Sequence, residues 1–202
     1  MRRMLKATWA LPLPLLMGVG EAWADAREVS VRCAGRLRRT TEPAFGQTTP
    51  ATSPGIGCAL GYGLGPALTA TLGYGFSRSG ELRVEGDGLR TSYVFRRHRH
   101  DLGLGLGYAP SDELTPVFSL ELGAAGVTTA DPQRRLSTPD GERRVPPTPA
   151  ESTEWSARAQ LEVALEWRFL DQASVGLGPF ADWADGRLGY GGGLWLALYR
   201  YR

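Results

Sequence analysis

The longest regular pattern of apolar and polar side chains covers residues 155–170. Every odd position is apolar, from Trp155 to Phe169, and the even positions are polar except at Ala164 and Leu170. A period of two places alternate residues on opposite faces of a β-strand. On a helix the same odd positions would scatter around the whole circumference, although Ala, Leu, Glu and Arg all favour helix. The pattern therefore predicts a long strand with one apolar face.

The length of this strand indicates a membrane. A strand crosses the hydrocarbon layer in roughly 9–11 residues, whereas soluble strands usually have about 5–6. The second face carries Arg158, Glu162 and Glu166. One apolar and one charged face are expected when lipid lies on one side of a strand and a polar barrel lumen on the other.

Similar alternation recurs along the chain. The predicted strands cover residues 27–39, 56–62, 68–77, 102–108, 118–125, 155–170, 175–183 and 188–201. Two short alternating runs within residues 77–99 predict a hairpin that projects beyond the membrane; if it crossed the membrane, the barrel would have ten strands. The predicted fold class is all-β, an antiparallel up-and-down transmembrane β-barrel with eight strands.

The connections and the aromatic residues give the barrel a direction. Long external loops are predicted near residues 40–54, 78–99 and 128–154, and the turns near 63–66, 109–115 and 171–174 are short, as in outer-membrane barrels. Two aromatic girdles are expected at the two headgroup layers. The external girdle would contain Tyr74, Phe76, Trp155, Trp183 and Tyr190. The periplasmic girdle would contain Tyr62, Tyr108, Phe118, Trp167, Phe169, Tyr199 and Tyr201.

The N-terminus carries an export signal. Residues 1–24 combine basic residues, an apolar run and the small-x-small end Ala22-Trp23-Ala24, which predicts a cleaved secretory signal peptide. Its removal takes away three of the 23 basic and one of the 21 acidic residues, which leaves 20 of each. The mature chain, residues 25–202, is thus a neutral single domain, and its charge does not indicate a nucleic-acid partner.

These features together resemble the small eight-stranded outer-membrane proteins, the OmpA/OmpX-like barrel class. The resemblance covers residues 27–202 as a pattern without a specific motif. It implies residence in a Gram-negative outer membrane, with outer-membrane lipid and the barrel-assembly machinery as partners. The class usually ends in an aromatic residue, whereas this chain ends Tyr201-Arg202. Leu194 and Trp195 lie on opposite faces of the last strand, so its apolar face is not fixed by the pattern. A bulge in residues 191–193 would change which side chains of this strand face outward.

The polar face of the strands predicts a charged lumen. Its predicted members are Arg32, Arg36, Arg90, Glu121, Arg158, Glu162, Glu166, Arg168 and Asp182. Because an eight-stranded barrel is barely wide enough for its own side chains, we expect an ion-pair network that plugs it. A narrow selective channel is the alternative.

Clustered arginines would lie outside the outer leaflet. Arg96, Arg97, Arg99, Arg134, Arg135, Arg143 and Arg144 could bind lipopolysaccharide phosphates in a bidentate manner. Solvated loop charge balanced by Glu142, Glu151 and Glu154 is the alternative.

Few residues suggest chemistry. His98 and His100 lie near Asp101, Ser77 and Ser79, but no nucleophile elbow, metal-ligand cluster or phosphate loop accompanies them. We therefore predict no enzyme, no metal and no cofactor.

Cys33 and Cys58 fall on neighbouring predicted strands, and the periplasm is oxidising. A disulfide between them would stabilise the fold by roughly 3–4 kcal/mol, with two small thiols as the alternative.

The predicted function is a non-catalytic outer-membrane barrel with a structural or surface-interaction role. The alternatives are the narrow channel and a secreted, soluble, lipocalin-like barrel that binds an apolar ligand. The two-residue period alone does not show whether the apolar or the charged face of the strands lies inside the barrel.

Overall fold

The computed structural model describes residues 28–44, 47–65, 67–85, 91–110, 114–145 and 150–200, which form ten strands. The strands are β1 (Val29–Ala44), β2 (Gln47–Gly63), β3 (Leu68–Arg78), β4 (Leu82–Glu85), β5 (Thr91–Tyr108), β6 (Leu114–Thr138), β7 (Gly141–Arg144), β8 (Ser152–Leu170), β9 (Ala173–Ala184) and β10 (Arg187–Arg200). The predicted signal peptide, Arg90, Tyr201 and Arg202 lie outside these residues. No helix in the described part of the chain is long and apolar enough to span a membrane.

Eight strands close into an antiparallel ring in the order β1, β2, β3, β5, β6, β8, β9 and β10, with β10 paired to β1. The predicted eight-stranded up-and-down barrel is confirmed. Within the described residues, β4 pairs only with the end of β5, and β7 only with the end of β6. The ten-stranded alternative is therefore wrong.

The register fixes the stagger of the ring. Stepping from partner to partner from Trp167 on β8, through all the other ring strands, leads back to β8 at Ala157. The offset between Trp167 and Ala157 is ten residues for eight strands. Such a stagger requires a strand tilt of roughly 40° and leaves an interior that side chains can fill.

The ring is apolar outside and polar inside. Ile56, Leu104 and Leu177 on the outside are 69%, 66% and 63% exposed, whereas Arg158 and Asp182 on the inside are 3% and 2% exposed. A continuous exposed apolar belt is explained by lipid contact. The transmembrane barrel is confirmed, and the lipocalin-like alternative is wrong because it needs an apolar interior.

One end of the barrel carries the beginning of β1 and the end of β10, and we call it the terminal end. The opposite end carries the long hairpins, and we call it the hairpin end. Exposed aromatic residues gather towards both ends, Tyr74, Trp155, Trp183 and Tyr190 at the hairpin end and Tyr62, Phe118, Trp167 and Phe169 at the terminal end. This is the predicted distribution of the girdles.

Strand β10 departs from its predicted phase. It pairs with both neighbours through residues 191–193 without a register shift, so the glycines form no bulge. Leu194 and Leu196 face outward, and Trp195 is 2% exposed inside the barrel. Tyr199 shares the inward phase and hydrogen-bonds there, so its predicted place in a girdle is wrong.

The strands extend further than predicted. Residues 40–54 were expected as a loop, but β1 continues to Ala44 and β2 begins at Gln47. The predicted hairpin within residues 77–99 is present as β4 paired with the start of β5, whereas residues 96–99 and 128–138, expected in loops, belong to β5 and β6. Residues 40–44, 47–54 and 128–138 carry few apolar side chains in alternation, so the apolar pattern ends although the backbone pairing continues.

At the hairpin end β4, β5, β6 and β7 form a small sheet, which we call the hairpin sheet. Ala51, Leu82, Val84 and Phe95 form a buried cluster between it and β2. Asp131 and Pro132 of β6 together oppose Phe95, and this extra residue is a β-bulge with Asp131 at φ 48°. The bulge separates the barrel wall from the hairpin sheet.

Candidate functional site

The lumen near the hairpin end is crossed by a shared carboxylate. Asp182 accepts hydrogen bonds from Arg38 Nε at 2.9 Å and Arg99 Nη2 at 2.6 Å. Arg99 also donates to Asp101 at 2.6 Å. Arg38, Arg99 and Asp182 are 9%, 4% and 2% exposed, so water screens their charges little, and Asp101 is the second carboxylate that compensates the two arginines.

The middle of the lumen is filled by Arg158. Its guanidinium donates to Glu121 and Gln160, and its Nε lies 3.5 Å from Asp101 Oδ1. Gly103 makes room for the Glu121 side chain that binds Arg158, because a Cβ there would lie 2.3 Å from Glu121 Oε1. Arg158 therefore hydrogen-bonds acceptors on β6 and β8 and forms an ion pair with Asp101 on β5.

The next level towards the terminal end is built around Glu162. Arg32 and Arg36 each place a terminal nitrogen 3.6 Å from Glu162 Oε2. The two guanidiniums also stack on aromatic rings, Arg32 at 4.8 Å from the centroid of Trp195 and Arg36 at 5.7 Å from that of Phe180. These cation–π contacts help to hold the arginines in the lumen.

The terminal end of the lumen is more open. Tyr199 donates to Glu166, and its hydroxyl lies 3.0 Å from Ser174 Oγ. Arg168 lies 3.6 Å from Glu28 and stacks 4.4 Å from the Tyr199 ring centroid.

Eight of the nine predicted lumen residues face inward, and Arg90 lies outside the described residues. Sequence reasoning missed five further members of the network, Glu28, Arg38, Arg99, Asp101 and Gln160. Arg38 and Gln160 stand in the polar phase of their strands, and that signal could have identified them.

The lumen has a cavity at each end. The terminal-end cavity has about 110 Å³ and is bordered by Glu166, Arg168 and Tyr199. The hairpin-end cavity has about 140 Å³ and is bordered by Arg38, Arg97 and Arg99, among others. The voids found between them have about 20 Å³ each, roughly the space of a single water.

The arginines predicted to meet lipopolysaccharide separate into inward and outward groups. The run of residues 96–100, expected in an outer loop, lies within β5 and alternates across the wall. Arg99 is buried in the lumen network, and Arg97 donates to Thr129 and borders the hairpin-end cavity. The prediction of phosphate contacts is therefore wrong for Arg97 and Arg99. Arg96 is half-exposed and lies 3.7 Å from Asp131.

The remaining predicted contacts, Arg134, Arg135, Arg143 and Arg144, belong to β6 and β7 of the hairpin sheet. Glu142 binds Arg83 and lies 3.4 Å from Arg135, and Arg144 donates to Gln133 at 2.9 Å. The hydrogen bond from Arg83 lowers the pKa of Glu142, and Arg135 adds to this effect.

The residues considered for catalysis do not converge. His98 and His100 face outward, where Phe76 packs 6.1 Å and 5.1 Å from their ring centroids. Asp101 faces inward, bound to Arg99. The barrel wall thus separates the imidazoles from that carboxylate.

Cys33 and Cys58 are directly opposed on β1 and β2, and the structure joins them in a disulfide with 4.1 Å between the Cα atoms. Both side chains are exposed on the outward face. Val31, Leu37, Ile56 and Leu60 are the exposed apolar residues nearest to them along the two strands. The disulfide therefore lies within the apolar belt.

Comparison with known proteins shows the fold. No protein-family model matches the chain, and no curated protein matches it. Among solved structures, the N-terminal β-barrel domain of Pseudomonas aeruginosa OprF has a TM-score of 0.50 at 15% identity, covering 86% of this chain and 98% of that one. Ail of Yersinia pestis has a TM-score of 0.51 at 9% identity, covering 87% of this chain and 100% of its own. Ail was also solved in complex with the heparin analogue sucrose octasulfate. Neisserial surface protein A has a TM-score of 0.52 at 9% identity, covering 86% of this chain and 97% of its own.

The chain thus has the fold of the small eight-stranded outer-membrane β-barrels, and the resemblance indicated by its sequence is confirmed at the level of fold.

Proposed function

We propose that the protein is a closed, non-catalytic barrel of a Gram-negative outer membrane, with the hairpin sheet on the cell surface. The observation that carries the closure is the cross-lumen pairing of Arg99 with Asp182, next to Arg158 with Glu121 and Asp101. Each of these side chains is at most 17% exposed. Passage of a solute would require several buried ion pairs to separate together, which is costly in a low-dielectric interior.

Membrane residence is tested by heat-modifiability in a fractionated outer membrane. We expect the unboiled protein to sediment with the membrane and to migrate differently in SDS from the boiled protein. A soluble protein with no mobility shift would contradict the location and the barrel together.

Closure is tested separately, in planar bilayers. We expect no conductance steps from the purified, heat-modifiable protein. The narrow channel is the second candidate, because a cavity enters the barrel from each end. Reproducible steps that change in Glu162→Ala, but not in the exposed-turn variant Asp171→Asn, would favour the channel.

The surface role we propose is the binding of anionic groups on surface saccharides by the hairpin sheet. Arg83 and Arg135 share Glu142, and Arg135 and Arg144 both donate to Gln133. Three guanidiniums thus gather around one carboxylate and one amide. A phosphate or sulfate could replace the Gln133 amide oxygen as the acceptor for Arg135 and Arg144. Arg134 and Arg143 stand in the alternate phase, on the opposite face of the hairpin sheet. The complex of Ail with sucrose octasulfate supports this proposal for a barrel of similar fold.

Retention on immobilised heparin tests the surface role. We expect Arg135→Gln with Arg144→Gln to elute at clearly lower salt than the native protein. Arg39→Gln with Arg200→Gln, which removes two exposed charges outside the hairpin sheet instead, is the matched control and should elute near the native position. Equal elution of both variants would contradict the proposal for the hairpin sheet.

A further inference from the structure

Glu166 differs from the other carboxylates of the lumen network in its partner. The others, from Glu28 at the terminal end to Asp182 near the hairpin end, each lie within 3.6 Å of an arginine nitrogen. Glu166 is only 9% exposed and forms no ion pair within the described residues. It accepts a hydrogen bond from the Tyr199 hydroxyl, which itself lies 3.0 Å from Ser174 Oγ. A buried carboxylate whose partner is neutral still lacks a compensating charge.

The two arginines that border the terminal-end cavity are paired with other carboxylates. Arg168, two residues further along β8, lies 3.6 Å from Glu28. Arg32 lies 3.6 Å from Glu162. These pairs leave the charge of Glu166 without a counter-cation in the part of the chain that the structure describes.

The terminal-end cavity offers oxygen atoms and space beside this carboxylate. Its volume of about 110 Å³ is several times the roughly 10–15 Å³ that one water needs. A glycine keeps one side of it wide, since a Cβ at Gly107 would meet the Thr69 backbone oxygen only at 3.9 Å. Hydroxyl groups border it from β1, β3 and β6, on Ser30, Thr69, Thr71, Thr115 and Ser119. Each hydroxyl oxygen can accept a hydrogen bond as well as donate one.

We infer that the terminal-end cavity binds the primary ammonium group of a small amino alcohol, with Glu166 as the counter-charge. A primary ammonium carries one positive charge and three N–H donors. Glu166 compensates the charge and accepts one donor, and the bordering hydroxyls accept the others. The rest of the cavity has room for a short carbon chain, whose hydroxyl group can bind the same serine and threonine side chains. The hydrogen bond from Tyr199 fixes the carboxylate before the ligand arrives, which lowers the entropic cost of binding.

This site is separate from the hairpin sheet and lies at the opposite end of the barrel. If the hairpin sheet is on the cell surface, as proposed above, the terminal end opens to the periplasm and the amine comes from there. The binding site itself depends only on the fold of the barrel.

The test is isothermal titration calorimetry of the refolded full barrel in detergent micelles at pH 7, with ethanolamine as the probe. We expect one ethanolamine per native barrel and about tenfold weaker binding in Glu166→Gln, the loss of one charge-assisted hydrogen bond. The glutamine keeps an acceptor for Tyr199 and removes only the charge. Gly107→Val fills part of the cavity without changing Glu166 and should weaken binding as well. Asp171→Asn removes an exposed carboxylate from the β8–β9 turn at the same end and is the matched control, which should bind like the native protein.

Two further titrations separate the ammonium group from other cations. Choline has the same charge and hydroxyl group but no N–H donor, so we expect it to bind about tenfold more weakly than ethanolamine. Sodium chloride and tetramethylammonium chloride at equal ionic strength should affect ethanolamine binding equally. Loss of ethanolamine binding in sodium chloride alone would assign the site to an alkali ion and overturn the inference.

The inference would also be overturned by native protein that binds no ethanolamine, by equal binding in Glu166→Gln, or by an equal loss in Asp171→Asn. Equally tight choline binding would overturn it too. Each variant is first shown to be heat-modifiable, so a folded barrel that fails these titrations would contradict this inference alone. A chain that never becomes a membrane-bound barrel would contradict the proposed location instead.

Discussion

Arg99 and Asp182 meet across the lumen, with Nη2 and Oδ2 2.6 Å apart and only 5% and 2% of their side chains exposed. They belong to β5 and β9, which are three strands apart around the ring. The contact therefore ties together parts of the wall that share no backbone hydrogen bonds. Arg38 on β1 binds the other oxygen of the same carboxylate, so two buried guanidiniums share Asp182, and Arg99 binds Asp101 as well.

We predict that Asp182→Asn destabilises the barrel by about 3–5 kcal/mol, because it leaves two buried arginines without their shared anion. The measurement is urea unfolding in lipid vesicles, followed by the loss of the unboiled gel form. Asp185→Asn is the control, since its pair with Arg187 is half exposed and should contribute less than about 1 kcal/mol. Equal shifts for the two variants would show that the lumen pair has no special role.

The alternation along each strand was enough to predict the barrel, its strand number and most of its lumen. Arg99 shows where that reasoning failed: the run from Arg96 to His100 is charged on both faces, and a wholly polar stretch gives no period to read. The structure shows that Arg97 and Arg99 face inward and that His98 and His100 face the outside. Continued strand pairing in residues 40–44, 47–54 and 128–138 could not be predicted either, because few apolar side chains alternate there.

Gly176 provides a second test of lumen packing. A Cβ at this position would lie 2.1 Å from the Trp195 indole, which is itself 2% exposed. We predict that Gly176→Ala lowers stability by about 1–3 kcal/mol, the usual cost of overpacking, or prevents barrel formation. Gly192→Ala is the matched control, because its nearest neighbour would be 3.8 Å away. The fraction of heat-modifiable protein after refolding is the measurement, and equal yields would contradict the packing argument.

The position of the disulfide predicts its chemical protection. Cys33 and Cys58 face outward among exposed apolar residues of β1 and β2, in the belt that faces lipid. Reduction requires an attacking thiolate, and a charged thiolate is disfavoured in hydrocarbon. We therefore expect dithiothreitol to leave the bond intact in the vesicle-inserted barrel and to reduce it readily after unfolding in urea.

Alkylation with a polymer-linked maleimide measures this difference as a gel shift. The Cys33→Ser/Cys58→Ser variant should show no shift under any condition and controls for non-specific labelling. Equally fast labelling of the inserted and the unfolded protein would mean that the bond lies outside the lipid belt.

The edge of the hairpin sheet should loosen in acid. The hydrogen bond from Arg83, followed by the effect of Arg135, holds the pKa of Glu142 below its ordinary value. A carboxyl group whose pKa is lowered by folding stabilises the folded state above its unfolded pKa of about 4.3, and that contribution is lost as the pH falls through the lowered folded value. We expect the hydrogen-exchange protection of the β7 amides, relative to those of β9, to be constant above pH 5 and to fall below pH 4. In Glu142→Gln the relative protection should be lower at pH 6 and independent of pH, because no carboxylate is left to titrate. A wild-type profile that matches the variant at every pH would show that this pair does not hold β7 in place.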